Sequence, residues 1–313
     1  MRVAHFSDLH LLSLDGVKKL QYMNKRWIGA MNLLSNRGRH YHTEAFEDMV
    51  VDLNGQNIDH IICTGDITNL AFVQEFQFAK ARFDQLNLGP SNITVLPGNH
   101  DSYVTEGARH YAEVFGEYFT PDAEWAWPAL AAGTRREAGD NKDERAWPLV
   151  RVRGELAVIG LSTSLKTPWF TAWGKVGSLQ LQRLRSVLTD PRLAGKVRIV
   201  AIHHPPAGHR AKSKIRGLRD HHAFAEVIKD CGAELIIHGH EHRDMLEHLA
   251  GPSGMVDVRG VPSGTYEANK PERTARYRIF EISNGRVIGQ AMRVWHRSRN
   301  VFEHDSTQLV ATA

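Results

Sequence analysis

Only two cysteines, Cys63 and Cys231, occur in 313 residues. Cys63 lies in an apolar, strand-like run and Cys231 near the end of a helix-like run. Both read as small core residues, not as a bridge, so a disulfide framework is excluded and a reducing compartment is expected. No stretch approaches the roughly 18 apolar residues of a membrane span. The opening MRVAHFSD lacks a basic leader and a long apolar stretch, so no signal peptide is expected. These absences lead to the expectation of a cytoplasmic protein, with peripheral contact at the inner face of a membrane left open. Internal repeats are also missing, and the apolar content is too ordinary for a disordered chain.

Acid is missing locally. The net charge is only +4. Yet residues 18–39 hold Lys18, Lys19, Lys25, Arg26, Arg37 and Arg39 and no Asp or Glu. A second run, Arg210, Lys212, Lys214, Arg216 and Arg219, meets no acid until Asp220. A charge run alone is usually a solvated face. Here each run closely follows a cluster of metal-binding residue types, which favours an anionic substrate.

What is present alternates strand with helix. Strands are expected at 2–7, 59–64, 92–96, 197–202 and 234–238. Helices are expected at 43–56 with Thr43 as N-cap, and at 70–86, 103–117, 178–188 and 220–229, the last capped by Asp220. Residues 148–154 and 156–162 read as a hairpin turned at Gly154-Glu155. The tail changes character: GMVDVRG, ARYRIFEIS and RVIGQAMRV are strand-like, with Asn284-Gly285 as a hairpin signal. This pattern predicts a layered α/β/β/α domain over 1–298, built on mixed sheets. It carries an inserted basic and aromatic segment at about 13–42 and a loop at 121–146. Residues 299–313 are expected to fray.

Five polar clusters interrupt this pattern: Asp8-Leu9-His10, Gly65-Asp66, Gly98-Asn99-His100-Asp101, His203-His204 and Gly239-His240-Glu241-His242. Most directly follow an apolar run, so they are expected to converge beyond the carboxyl ends of the strands, where open α/β sheets bind ligands. Carboxylate, imidazole and amide oxygen together, without thiolate, point to two divalent or trivalent ions and not to a structural zinc knuckle. Manganese, iron, cobalt, zinc and nickel all suit such donors. Asp66 follows a glycine, which lets the backbone come close to both ions and makes its carboxylate the natural bridge. Two such ions can hold a hydroxide between them and clamp a phosphoryl group in line with it. Taken singly, Asp8 could cap a turn and Asn99 occupy one. His5, His209, His221, His222 and His238 are expected to have no metal role.

The set Asp-x-His, Gly-Asp, Gly-Asn-His-Asp, His and Gly-His-x-His, in that order from Asp8 to His242, resembles the calcineurin-like metallophosphoesterase family. The resemblance implies that Asp8, His10 and His242 hold one metal, that Asp66 bridges, and that Asn99, His203 and His240 hold the other. It places His100 beside the substrate, protonating the leaving oxygen or stabilising developing charge. Asp101 would orient the His100 ring as an acceptor. Of His203 and His204 only one should face the metals, since neighbours on a strand point to opposite faces. The family's His stands two positions before a Pro, which favours His203.

The implied activity is hydrolysis of phosphate esters. A small-molecule phosphodiester of the cyclic nucleotide or glycerophosphodiester type comes first. A lipid-linked UDP-sugar pyrophosphatase of the lipid A pathway type, acting at a membrane surface, is the alternative. Met23, Trp27, Met31 and Leu34 fall near helical spacing among the first basic run, which reads as a packed helix or as a lid meeting lipid. Arg210, Lys212 and Trp169 are the candidate substrate contacts. A non-catalytic binding module on the same fold would show degenerate ligands, and none is seen. Specific nucleic-acid binding is not expected, because aromatic and basic residues interleave only at 166–175.

Overall fold

The computed structural model describes residues 1–17, 26, 40–102, 104–128, 147–267 and 270–305. Two six-stranded sheets carry the site. The first is built on β1 (Arg2–Phe6), β2 (His60–Cys63) and β3 (Ile93–Val95), which run parallel. It is extended antiparallel by β10 (Arg276–Ser283), β11 (Arg286–His296) and β12 (Val301–His304), in the order β12-β11-β10-β1-β2-β3. The second has the order β4-β5-β6-β7-β9-β8. Its strands are β4 (Leu149–Arg153), β5 (Leu156–Gly160), β6 (Val197–Ala201), β7 (Leu235–His238), β8 (Met245–Gly251) and β9 (Gly254–Gly260). Within it β5, β6, β7 and β9 are parallel.

Strand alternation divides the core in two. Val197, Ile199 and Ala201 of β6 join the core shared with the first sheet, whereas Val200 joins the second core. That second core includes Leu181 and Leu184 of α4 (Ser178–Leu188) and Phe224 and Ile228 of α6 (His221–Cys231). The first core includes Phe46 of α1 (Thr43–Gly55), Phe76 and Phe83 of α2 (Val73–Phe83) and Phe115 of α3 (Gly107–Phe115). Helix, sheet, sheet, helix is therefore the layering, as expected. The short α5 (Gly208–Ala211) lies outside this pattern. Phe83 sits among the rings of Phe6, Phe46, Phe115 and Tyr118, with centroids 5.1–6.0 Å away.

Several local expectations need correction. Thr43 is not the N-cap of α1; His42 is, without a side-chain cap bond. Asp220 stands at the N-cap of α6, but its carboxylate accepts from the Val176 and Gly177 N–H groups before α4. Residues Val301–His304, assigned to a frayed tail, pair with β11. Edge strand β8 has no counterpart in the sequence reading. Its half-exposed, alternating residues offer no apolar run to see. The Asn284-Gly285 turn forms as expected, with positive φ at both residues.

The burial of His60 predicts that the fold is sensitive to acid. His60 is fully buried and bonds Thr94 Oγ1 at 2.9 Å. Burial, then the nearby Arg151 and Arg153, lower its pKa to about 3. The unfolded chain therefore binds a proton near pH 6.5 that the folded one refuses. Its contribution is complete above pH 6.5 and is lost as pH falls towards 3. We expect stability, measured by urea unfolding of metal-free protein, to drop more steeply between pH 6 and 4.5 than in His60→Gln. The difference should approach roughly 1.4 kcal/mol per pH unit. Parallel pH dependences for the two proteins would show that His60 does not set it.

Candidate metal centre

All five clusters lie just beyond the carboxyl ends of parallel strands: β1, β2 and β3 of one sheet, β6 and β7 of the other. The segment after β1 runs beside the one after β2, with Asp8 N–H donating to Gly65 O and His10 N–H to Asp66 O, both at 2.9 Å. His240 N–H donates to Asp8 Oδ2 at 2.9 Å and ties the second sheet to the first. Close approach requires glycine. A side chain on Gly98 would overlap the Asp66 carboxylate, and one on Gly239 would overlap Ser7 and Asp8.

The sharp turns leave a mark on the backbone. Asp8, His10, Asp66, His240 and His242 all have positive φ, between 45° and 70°. This left-handed region costs a non-glycine residue roughly 1–2 kcal/mol. Its recurrence at five candidate ligand positions marks a site held by its surroundings.

The donor atoms fall into two groups. His10 Nε2 lies 3.2 Å from His242 Nε2 and 3.7 Å from Asp66 Oδ2, and His242 Nε2 lies 3.2 Å from Asp8 Oδ1. In the other group His203 Nε2 lies 3.1 Å from Asn99 Oδ1, 3.3 Å from His240 Nδ1 and 3.5 Å from Asp66 Oδ1. Asp66 thus turns one oxygen to each group. Donors about 2.0–2.2 Å from a shared cation lie about 3.0–3.5 Å apart, so the spacing fits two ions. Asp8 Oδ1, 3.2 Å from His242 Nε2, is buried and takes no hydrogen bond among the described residues. The chemistry of the set also fits: buried carboxylates facing imidazoles are common donors to divalent first-row ions.

Electrostatics agree. Burial raises the Asp66 carboxyl, but the His203, His100 and His10 imidazoles outweigh it and hold its pKa well below the usual range. Burial likewise raises Asp8, and His242 more than reverses this. Burial lowers His203, but Asp66 lifts it to about 9. Such a site attracts positive charge.

His203 and His204 are separated by their partners. His203 Nδ1–H donates to Thr64 O at 2.7 Å, leaving Nε2 to face Asn99 and Asp66. His204 also approaches His240, with ring centroids 4.4 Å apart. However, Thr163 Oγ1 bonds its Nδ1 at 2.7 Å and its Nε2–H donates to Ala172 O at 3.1 Å. Burial and His203 lower its pKa to about 3.

The family of calcineurin-like phosphoesterases matches residues 1–244. The chain belongs to that family. No curated protein matches it in sequence. Among solved structures it is similar to a dimetal phosphatase from Danio rerio, at TM-score 0.57 and 12% identity, over 93% of this chain and 95% of that one. It is also similar to the purple acid phosphatase PPD1 of yellow lupin (Lupinus luteus) seeds, at TM-score 0.56 and 11% identity. That match covers 97% of this chain and 52% of the lupin protein, about half its length. Identities this low show a shared fold. This phosphoesterase is a metal-binding hydrolase whose His and Asp clusters fit two ions.

Three sequence expectations are revised. Asp101 does not orient His100. Its carboxylate accepts from Gly98 N–H (2.8 Å), Thr68 N–H and Oγ1–H (2.9 Å each) and Ile67 N–H (3.2 Å). The His100 ring is anchored instead by Nδ1–H donating to Asn69 O at 2.8 Å. Arg26 is not a solvated basic residue. It is buried, donates to Leu70 O and Ala71 O at 2.8 Å each, and covers the Phe72 ring. The other basic residues of 18–39, with Met23, Trp27, Met31 and Leu34, lie outside the described residues, as does 129–146. Within 121–128, expected as loop, Ala123–Trp125 forms a 3-10 turn. As for substrate contacts, Arg210 pairs with Glu241 at 3.2 Å, while Lys212 and Trp169 are exposed.

Two neighbours escaped the sequence reading. Tyr41 reaches His242 Nδ1 with its hydroxyl at 3.3 Å and meets the His10 ring at 4.8 Å. Arg216 donates to His240 O at 3.3 Å. Tyr41 belongs to no motif, and Arg216 was one cation in a run. His5 and His238 bond Thr64 Oγ1 and Gly239 O, both at 3.0 Å.

Asp101→Ala removes the acceptor for four donors that set the turns carrying Asp66 and Asn99. We expect a loss of roughly 2–4 kcal/mol in unfolding free energy, with weakened metal uptake. Unchanged stability by denaturant titration would refute this role.

Proposed function

We propose that this phosphoesterase hydrolyses a small-molecule phosphodiester, of the cyclic nucleotide or glycerophosphodiester type. The observation that carries this is His100. One of its ring nitrogens lies within 4.8 Å of ligating atoms of His10 and Asp66. Its Nδ1 is committed to Asn69 O. An imidazole so anchored serves to protonate a poor alkoxide leaving group. Asp8, His10, Asp66 and His242 would hold one ion, and Asp66, Asn99, His203 and His240 the other. Manganese, iron, zinc or cobalt suit these donors. Bound there, such ions supply Lewis acidity and a water nucleophile of lowered pKa. His100 delivers the proton that leaves with the alcohol, Asp66 keeps both donor groups in register, and Arg210 and Arg216 offer charge to the phosphate. Lys212 and Trp169 stand further out, for the rest of a larger substrate.

A second reading is a pyrophosphate linked to a lipid, such as a UDP-sugar of the lipid A pathway type. It is favoured by the exposure of Trp169 beside a basic loop. No helix among the described residues is long and apolar enough to cross a membrane, so such a substrate would be met peripherally. Both cysteines are free, which supports a cytoplasmic setting.

The test compares bis-p-nitrophenyl phosphate with p-nitrophenyl phosphate in metal-replete protein. We expect the diester to turn over faster. His100→Ala should lower kcat on the diester by about 10²-fold or more with two metal equivalents retained by elemental analysis. Faster turnover of the monoester would overturn the diester assignment. Asp66→Ala and Asn99→Ala should each lose most turnover while remaining folded by circular dichroism.

A further inference from the structure

Two loops beside the site form one unit. Ala172 N–H donates to Ile215 O at 2.9 Å, Gly174 N–H to Gly217 O at 3.1 Å and Arg219 N–H to Gly174 O at 2.8 Å. Arg219 lies over the Trp173 ring, 4.9 Å from its centroid. The inner edge of this pair touches the metal centre: Ala172 O takes a hydrogen bond from His204, and Arg216 reaches His240 O. A side chain on Gly174 would collide with the His204 ring, so the loop passes flush against it.

The outer edge is apolar and exposed. Trp169 is 57%, Phe170 79% and Ile215 57% accessible. The tip is fixed, since Thr171 N–H and Oγ1–H both donate to Pro168 O, and Thr167 Oγ1–H donates to Thr171 O. Phe170 is held at φ 62°, an uncommon conformation for a bulky residue. Charge within the two loops has one sign, with Glu241 meeting Arg210 at the inner edge. Residues 163–175 and 207–219 contain Lys166, Lys175, Arg210, Lys212, Lys214, Arg216 and Arg219 and no acid. Lys212 and Lys214, which precede the exposed Ile215, are themselves exposed.

We propose that the loop pair 165–175 and 212–219 is a docking surface for an anionic lipid bilayer, which sets the metal centre at the membrane surface. Trp, Phe and Ile insert among headgroups and acyl chains while lysines meet lipid phosphates. A single-stranded nucleic acid would also meet aromatic rings and cations, but Ile215 offers no face for base stacking. The surface goes beyond the substrate readings above and holds whichever ester the site cleaves.

The test is sedimentation of the metal-replete protein with phosphatidylcholine vesicles, with and without about one third phosphatidylglycerol. A labelled single-stranded DNA oligomer is measured in parallel. We expect binding to the anionic vesicles at low salt, weakening with added salt. The double variant Phe170→Ser, Ile215→Ser should reduce the partition coefficient about tenfold or more. Lys214→Glu should reduce it roughly fivefold, on anionic vesicles only. Turnover of soluble bis-p-nitrophenyl phosphate should be unchanged in both, which also reports that the variants are folded. Absence of native binding, or unchanged binding by both variants, overturns the proposal. So does DNA binding without vesicle binding. Vesicle binding with no turnover of the soluble diester would overturn the diester reading and leave the surface standing.

Discussion

A single carboxylate shared between two sets of imidazoles is the constraint around which this molecule is arranged. Asp66 turns Oδ2 towards His10 and Oδ1 towards His203. That contact joins residues after β1 to residues after β6, on different sheets. It is buried, and buried charge is costly unless it is met by opposite charge or hydrogen bonds. Asp66 has the His100 N–H at 2.7 Å and imidazoles around it, with Asp8 close by. The contact therefore favours the relation in which the sheets meet. Glycine at 98 makes that relation sterically open.

Around this contact, main-chain carbonyls do most of the aiming. Thr64 O holds His203, Asn69 O holds His100 and Ala172 O holds His204. Each oxygen accepts one ring N–H; for His203 and His100 this decides which nitrogen is left to look inward, whereas on His204 Thr163 takes the other nitrogen as well. A carbonyl cannot ionise. The ring orientations are therefore independent of pH at the partner, which a carboxylate partner would not ensure. Asp101 serves the same end at one remove, by pinning the turns that present these groups.

Much of this was legible in the sequence because the candidate ligands follow apolar strands directly. VAHFS before Asp8 and IICTG before Asp66 announce both a strand and its end. The two-layer core followed from the alternation of strand and helix. What was not legible depends on contacts distant in sequence. The acceptor role of Asp101 towards Ile67 and Thr68 spans more than thirty residues, whereas its adjacency to His100 was the visible and misleading cue. Tyr41 enters the site from a segment without a motif. Arg26 looks like its solvated basic neighbours until the carbonyls of Leu70 and Ala71 are placed beside it. Strand β8 carries too much polar exposure to resemble a strand.

The left-handed backbone at Asp8, His10, Asp66, His240 and His242 has a consequence for anyone wishing to move this centre elsewhere. Grafting the seven candidate side chains onto regular strand ends of another scaffold would miss the directions of these five, because an ordinary extended backbone aims their Cβ atoms differently. The transplantable unit is the set of kinked turns, with the glycine at 98 and the Asp101 clamp, and any recipient scaffold would have to tolerate their strain before it could hold an ion.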